Sequence, residues 1–223
     1  GAPRNRIYDL AEFEQYLRFK PEIELEYVYY YGKGYLPYAK AAYDTMTLEQ
    51  VVEDKCKYSG RDPKSFLSLD EVLKMDDISG ENGRFVRVIT AANGKKAFLR
   101  IYKDNHVYPY ESQISTALKT LLQEAPMVGF VTGHKERSGM DMGEKGYGTF
   151  ASNKTFRYSL ENSGYGVREI SLEHPVAEDI NIIVLADMRS DFTEEEFRNF
   201  DAYLERGGNL FILGIFSGHV YLG

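Results

Sequence analysis

The sequence predicts an α/β protein in two parts, an α+β unit followed by a doubly wound parallel sheet. Three observations carry this. Four short, near-continuous apolar runs in the second half, "MVGFVTG", "GVREISL", "INIIVLADM" and "NLFILGIF", read as strands buried on both faces. Helical patterns fall between them. The first half instead mixes helical segments with one strictly alternating strand and a hairpin signal, and it lacks an obvious opening strand.

In chain order, Leu10, Phe13, Tyr16 and Leu17 recur at helical spacing, and the segment stops at Pro21. In "EIELEYVYYYG", Ile23, Leu25, Tyr27, Tyr29 and Tyr31 share one face while Glu22, Glu24 and Glu26 share the other, the pattern of a half-buried strand. Its tyrosines could serve as a stacking platform, but core packing and strand propensity already account for them. Residues 47–59 and 69–76 read as helices with "SGRDP" as the turn between them. "GRFVRVITAANGKKAFLRIYKD" is two strands around Asn93-Gly94, a hairpin signature. An amphipathic helix over 110–124 points Ile114, Ala117, Leu118, Leu121 and Leu122 inward and closes at Pro126. The break between domains is expected at Glu124-Ala125-Pro126, giving domains 1–125 and 126–223.

The helix in "SDFTEEEFRNFDAYLERGG" is the best-marked element. Thr193 is its N-cap, Glu196 completes a capping box, and Phe192 and Phe197 are placed for a hydrophobic staple. Phe197, Phe200 and Leu204 form the predicted inner stripe, and Gly207-Gly208 ends the helix. The chain stops soon after the fourth strand, where a flavodoxin-like sheet carries a further helix and strand. A piece of a larger protein is therefore expected, in keeping with an opening Gly1 in place of Met.

Composition narrows the function. The chain has 223 residues, 43% hydrophobic and 27% charged, with a net charge of -7, which gives no basic stripe for nucleic acid. Its longest apolar runs are about eight residues, short of the roughly 20 that span a bilayer. The single cysteine, Cys56, excludes an internal disulfide and a Cys-x-x-Cys redox pair; on a helix interior it reads as a passive residue.

The stretch "VGFVTGHKERSG", residues 128–139, is the candidate site, because a buried strand opening into a polar, Gly-flanked loop is where such sheets hold ligands. The candidate ligand- or partner-binding residues are Gly133, His134, Glu136 and Arg137, with Asp187 and Arg189 after the third strand on the same edge. The loop is neither a P-loop nor a dinucleotide fingerprint, and no Gly-x-Ser-x-Gly elbow is present. His134, Glu136, Asp141 and Glu144 could gather round a metal, but no ligand spacing fixes them; His106 and His174 are isolated. No metal, cofactor or catalytic residue is assigned. The plain alternative is structural: Gly133 permits a sharp turn, and His134 pairs with a neighbouring carboxylate or backbone group.

"APMVGFVTGHKERS" resembles the strand and Gly-His loop of a bacterial family, the soluble domain of gliding-motility-type auxiliary proteins of ABC transporters. "ITAANGKKAFLRIYKD", "ESQISTALKTLL" and "INIIVLADMRSDFTEEEFRNFDAYLERGGNLFILG" match it in order, over about residues 85–214 and more loosely before. The resemblance implies a thioredoxin-like first domain and a second domain built as a class I glutamine amidotransferase-like sheet without its nucleophile. It further implies a membrane protein with this region on the extracytoplasmic, periplasmic side, working beside ABC permease and ATPase subunits without catalysis of its own. Homo-oligomerisation is left open. The competing reading is a hydrolase or amidotransferase-like enzyme using the Gly133-His134 loop. After "LFILG" the sequence "IFSGHVYLG" departs from the family's continuation, so neither Ser217 nor His219 is assigned a role.

Overall fold

The structure, a computed structural model, describes residues 11, 13–20, 24, 26–32, 45–81, 85–102, 104, 106 and 108–214. The chain divides into two compact units, Gly1–Val86 and Arg87–Gly223. The expected division after residue 125 therefore falls inside the second unit.

In the first unit, helix α1 covers residues 13–19 and strand β1 is Tyr29–Tyr31. Helix α2 (Leu48–Ser59) starts at a capping box in which Thr47 and Gln50 each accept the other's backbone N–H, satisfying two of the donors a helix start leaves orphaned. Strand β2 (Phe66–Ser68) runs directly into helix α3 (Leu69–Met75), which Ser68 and Glu71 cap in the same way. β1 and β2 pair in parallel with Tyr29 opposite Phe66. Their rings lie 5.6 Å apart, and the Arg61 guanidinium sits 4.6 Å above Tyr29. These contacts give Tyr29 a structural role. Ile23 and Leu25 of the predicted apolar face lie outside the described residues, as does Leu10.

Strands β3 (Val86–Thr90) and β4 (Lys96–Arg100) pair around the Asn93-Gly94 turn, a connection too short for a parallel crossover, so they form the expected hairpin. Among the described residues β1 pairs with β2, and β3–β4 form a sheet of their own. The hairpin's apolar face is taken by helix α4 (Glu111–Leu122), which packs on β4. Ala97 and Leu99 from the strand and Ile114, Ala117 and Leu121 from the helix are buried. Leu118 and Leu122, expected inward, are 39% and 83% exposed. Three inward positions already complete the contact.

One buried arginine ties this hairpin–helix layer to the loop before the main sheet's second strand. Arg157 is 4% exposed. Its Nε and Nη2 donate to both oxygens of Asp104 at 2.6 and 2.8 Å, Nη1 donates to Gln113 Oε1 at 2.7 Å, and Nη2 also donates to the His106 carbonyl at 2.9 Å. Tyr102 and Tyr110 each place a ring 4.6 Å from the guanidinium carbon. This fork geometry and ring contact suit arginine and no other residue. The bidentate bond from Arg157 outweighs partial burial and holds the Asp104 carboxyl down at about 2.

The main sheet has four parallel strands in the order β6-β5-β7-β8: β5 is Met127–Val131, β6 Gly166–Ile170, β7 Ile180–Ala186 and β8 Asn209–Leu213. This is a 2-1-3-4 order, compatible with right-handed crossovers, with the first and third strands adjacent and central. The short helix α5 (Gly148–Ala151) precedes β6, and helix α6 (Glu194–Glu205) joins β7 to β8. One face of the sheet buries Val131, Ile180, Ile183 and Leu185 with Leu172, Val176 and Tyr203. The other buries Val128, Phe130, Val184 and Ala186 with Ala151. Each Val, Leu, Ile and Phe among them contributes roughly 1.5–3 kcal/mol relative to exposure.

The pairing of β5 with β7 skips Asn181: Met127 lies opposite Ile180, but Val128 lies opposite Ile182. The skipped side chain fills the gap by accepting the Met127 N–H at 2.7 Å. The irregularity shifts the strand's phase, so Ile180 faces the same side as Ile183 and Leu185 rather than Ile182 and Val184.

On α6 the buried face is Tyr203 with Phe200 and Leu204, while Phe197 is 57% exposed. Phe192 packs against Phe200, with ring centroids 5.5 Å apart, and not in the expected staple with Phe197. β8 is the sheet's edge, and Leu210, Phe211 and Ile212 there are 37%, 49% and 53% exposed.

Two outcomes are expected. A chain begun at residue 87 should unfold as one cooperative transition, whereas one begun at 126 should lose cooperativity because Arg157 would lose every partner it has in 102–113; calorimetry on the two distinguishes them. Arg157→Lys should destabilise the second unit by about 1.5–3 kcal/mol in denaturant titration, since an ammonium cannot make the bidentate bond.

Candidate functional site

The carboxyl ends of β5 and β7 meet at the sheet's switch point, where doubly wound folds leave a crevice. Here the two following loops close it. Thr132 continues the strand by donating its N–H to the Ile170 carbonyl at 2.9 Å. Gly133 then turns the chain at φ +122°, a conformation that disfavours any side chain, and Lys135 follows at φ +62°. The turn drives His134 inward to 5% exposure. Arg189 N–H donates to the His134 carbonyl at 3.0 Å, and Arg137 N–H donates to the Ala186 carbonyl at 2.8 Å, so each loop bonds the other.

The imidazole of His134 lies between two carboxylates. Nδ1 is 3.0 Å from Glu136 Oε1, and Nε2 is 3.2 Å from Glu196 Oε2. Glu136 folds back over its own loop, with Oε2 accepting the His134 N–H at 2.6 Å and its side chain 1% exposed. Glu196 is the third residue of α6 and completes the capping box there. Its Oε2 also accepts the Thr193 N–H at 2.8 Å and the Thr193 hydroxyl at 2.7 Å. The positive end of the helix dipole favours the carboxylate at that position. Phe192 closes the remaining side, its ring edge-on to the imidazole at 5.0 Å.

The electrostatics follow from these neighbours. Burial works against the imidazolium, but the bonds from Glu196 and Glu136 and their charges together outweigh it, so the His134 pKa is raised. The backbone and hydroxyl bonds from Thr193, with the bond from His134, lower that of Glu196.

A second pair lies beside this cluster. Arg137 Nε is 2.8 Å from Asp187 Oδ2, and the Tyr147 hydroxyl donates to the same oxygen at 3.3 Å. Burial, followed by the charge of Asp187, raises the Tyr147 pKa. Asp187 itself sits at φ +54°, with its N–H on the Leu213 carbonyl at 2.7 Å, so it fastens the loops to β8 as well. Ser138 donates to Glu169 of β6 and accepts the Met140 and Asp141 N–H groups. Gly139 packs so closely on Phe130 that a Cβ would lie 2.6 Å from the ring.

The predicted residues thus gather at one edge, but in two separate partnerships, His134 with Glu136 and Arg137 with Asp187. Arg189 contributes its backbone, and its side chain is exposed, as is Lys135. Both imidazole nitrogens are occupied, which leaves no lone pair for a general base or a metal. Among the described residues no group of three or more His, Cys, Asp or Glu is arranged to hold a metal ion. Asp141, considered as a ligand from sequence, instead accepts the Gly143 N–H at 2.8 Å. His106 and His174 lie elsewhere and are exposed, and Ser217 and His219 lie outside the described residues. Sequence reasoning missed Glu196 as a partner of His134. Its capping box was legible, but the contact spans 62 positions.

Residues 125–214 match the model of a family described as "ABC-type uncharacterized transport system". The similarity is to this stretch of the chain. The matched stretch holds the whole four-stranded sheet and every residue of the two partnerships. No curated protein and no solved structure matched the chain. Among the described residues no helix is long and apolar enough to cross a membrane.

Replacing His134 by Ala leaves two carboxylates facing a void. A loss of about 1–3 kcal/mol is expected in chemical denaturation. Thr193→Ala should cost about 1 kcal/mol by removing the helix cap.

Proposed function

We propose that this chain is a non-catalytic, extracytoplasmic part of an ABC transporter's auxiliary membrane protein, and that it binds a partner subunit through the carboxyl edge of its four-stranded sheet. The observation that carries this is the closed switch point. Its one histidine is saturated by two carboxylates, and the loops that would open onto a substrate bond each other. A hydrolase or amidotransferase-like enzyme would need a free base or nucleophile there, and the geometry works against that. The ABC transport family of residues 125–214 supports a role beside permease and ATPase subunits. The 2-1-3-4 parallel order supports the amidotransferase-like architecture for this domain. The thioredoxin-like assignment of the first domain and the link to gliding motility rest on the sequence resemblance.

On this reading the partner touches what the edge exposes, Lys135, Met188 and Arg189, with Arg137 partly accessible beside them, while His134 and Glu136 shape the loop from beneath. Reversing the two exposed charges, Lys135→Glu with Arg189→Glu, should leave stability within about 0.5 kcal/mol. It should also weaken co-purification of the full-length protein with its permease at least tenfold. Unchanged co-purification of a folded double variant would remove the edge from consideration.

A further inference from the structure

The contact at His134 has a property that hydrogen-bond chemistry alone fixes. A carboxylate oxygen only accepts. Two carboxylates flanking one imidazole can therefore both be satisfied only when both ring nitrogens carry protons. A neutral ring would direct a lone pair at Glu136 or at Glu196 across 3.0 or 3.2 Å in a buried site. The same ring sits on the loop that bonds the β7 loop and closes the switch point.

We propose that Glu136, His134 and Glu196 form a proton-operated latch: the doubly protonated imidazole holds the 132–141 loop on the start of α6, and loss of one proton frees that loop and opens the switch-point crevice. The latch is independent of what the edge binds. The charged groups of every element packed around the ring fit it. On the loop itself, Lys135 is exposed and Arg137 is committed to Asp187. On the segment after β7 and the first turn of α6, Arg189, Asp191, Glu194 and Glu195 are exposed to water. Of these charged groups only Glu136 and Glu196 pair with the ring nitrogens.

The direction of pH dependence follows. The closed loop binds the His134 proton more tightly than the open loop does, consistent with the raised pKa. The latch is therefore at full strength below the ordinary histidine value of about 6.5 and is lost as pH rises through the raised value of the closed form. Between those limits the opening equilibrium increases by about tenfold per pH unit. On the acid side, Glu196 is depressed, so its share is present above the ordinary glutamate value of about 4.3 and is lost as pH falls through the depressed one.

The test is amide hydrogen exchange on the full chain from about pH 5.5 to about pH 9, corrected for intrinsic exchange. Protection of 132–141 and of 187–196 is expected to be constant at the acid end and then to fall by at least tenfold, while α4 and β4 stay unchanged. His134→Gln, which cannot titrate, should give a flat profile. Should that variant fail to fold, Glu136→Gln retains the imidazole and should move the fall to lower pH. Nitrogen-15 spectra at about pH 6 should show His134 with both ring nitrogens protonated. A flat wild-type profile, a singly protonated ring at that pH, or equal loss of protection in α4 and β4 would each overturn the latch.

Discussion

The burial of one imidazole between two carboxylates determines how the second unit is closed. It brings together three parts of the chain that the sheet alone leaves apart: the turn after β5, the segment after β7 and the first turn of α6. Glu196 falls at the start of α6, where the helix dipole and the Thr193 donors stabilise its carboxylate. Were Glu196 placed at the end of the helix, the same trio would be unfavourable. The histidine's position is thus inseparable from the helix cap, and Gly133 is needed because only its backbone delivers the ring to that place.

Much of the sheet was legible beforehand because near-continuous apolar runs, once separated by helical patterns, leave few topologies. The parallel sense follows from strands alternating with helices, and right-handed crossovers then narrow the orders without choosing one. The first half was less legible. Phe66–Ser68 is three residues between a turn and a helix, too short for alternation to register, yet it is what β1 pairs with. Similarly, the stripe assigned to α6 included Phe197 because spacing counts only apolar residues; Tyr203, with its hydroxyl on the Asn209 carbonyl at 2.9 Å, fills the core instead. At the site, the sequence offered His134 a neighbouring carboxylate or backbone group without naming which, and Glu136 fills that place, whereas Glu196 and Tyr147 depend on chain closure.

The family match begins at residue 125, but the forces that stabilise the second unit begin earlier. Arg157 lies inside the matched stretch, and its partners Asp104, His106 and Gln113 lie before it. The two rings against its guanidinium, Tyr102 and Tyr110, also lie before it, so the matched stretch alone keeps none of these contacts. The physical unit and the recognisable unit therefore differ by a hairpin and a helix. Shared sequence pattern marks the sheet, while stability depends on the layer that precedes it.

The skipped Asn181 bears on how related chains are to be compared. Because one residue is inserted between two strands of fixed spacing, everything on its amino-terminal side is out of frame with the alternation that follows. A relative without this insertion would keep the apolar character of every position yet present the opposite side of the strand's beginning to the core. Aligning such chains by hydrophobicity alone would superpose residues that point in opposite directions. An amide at this place, able to accept the neighbouring strand's N–H, is the mark by which the frame can be recovered.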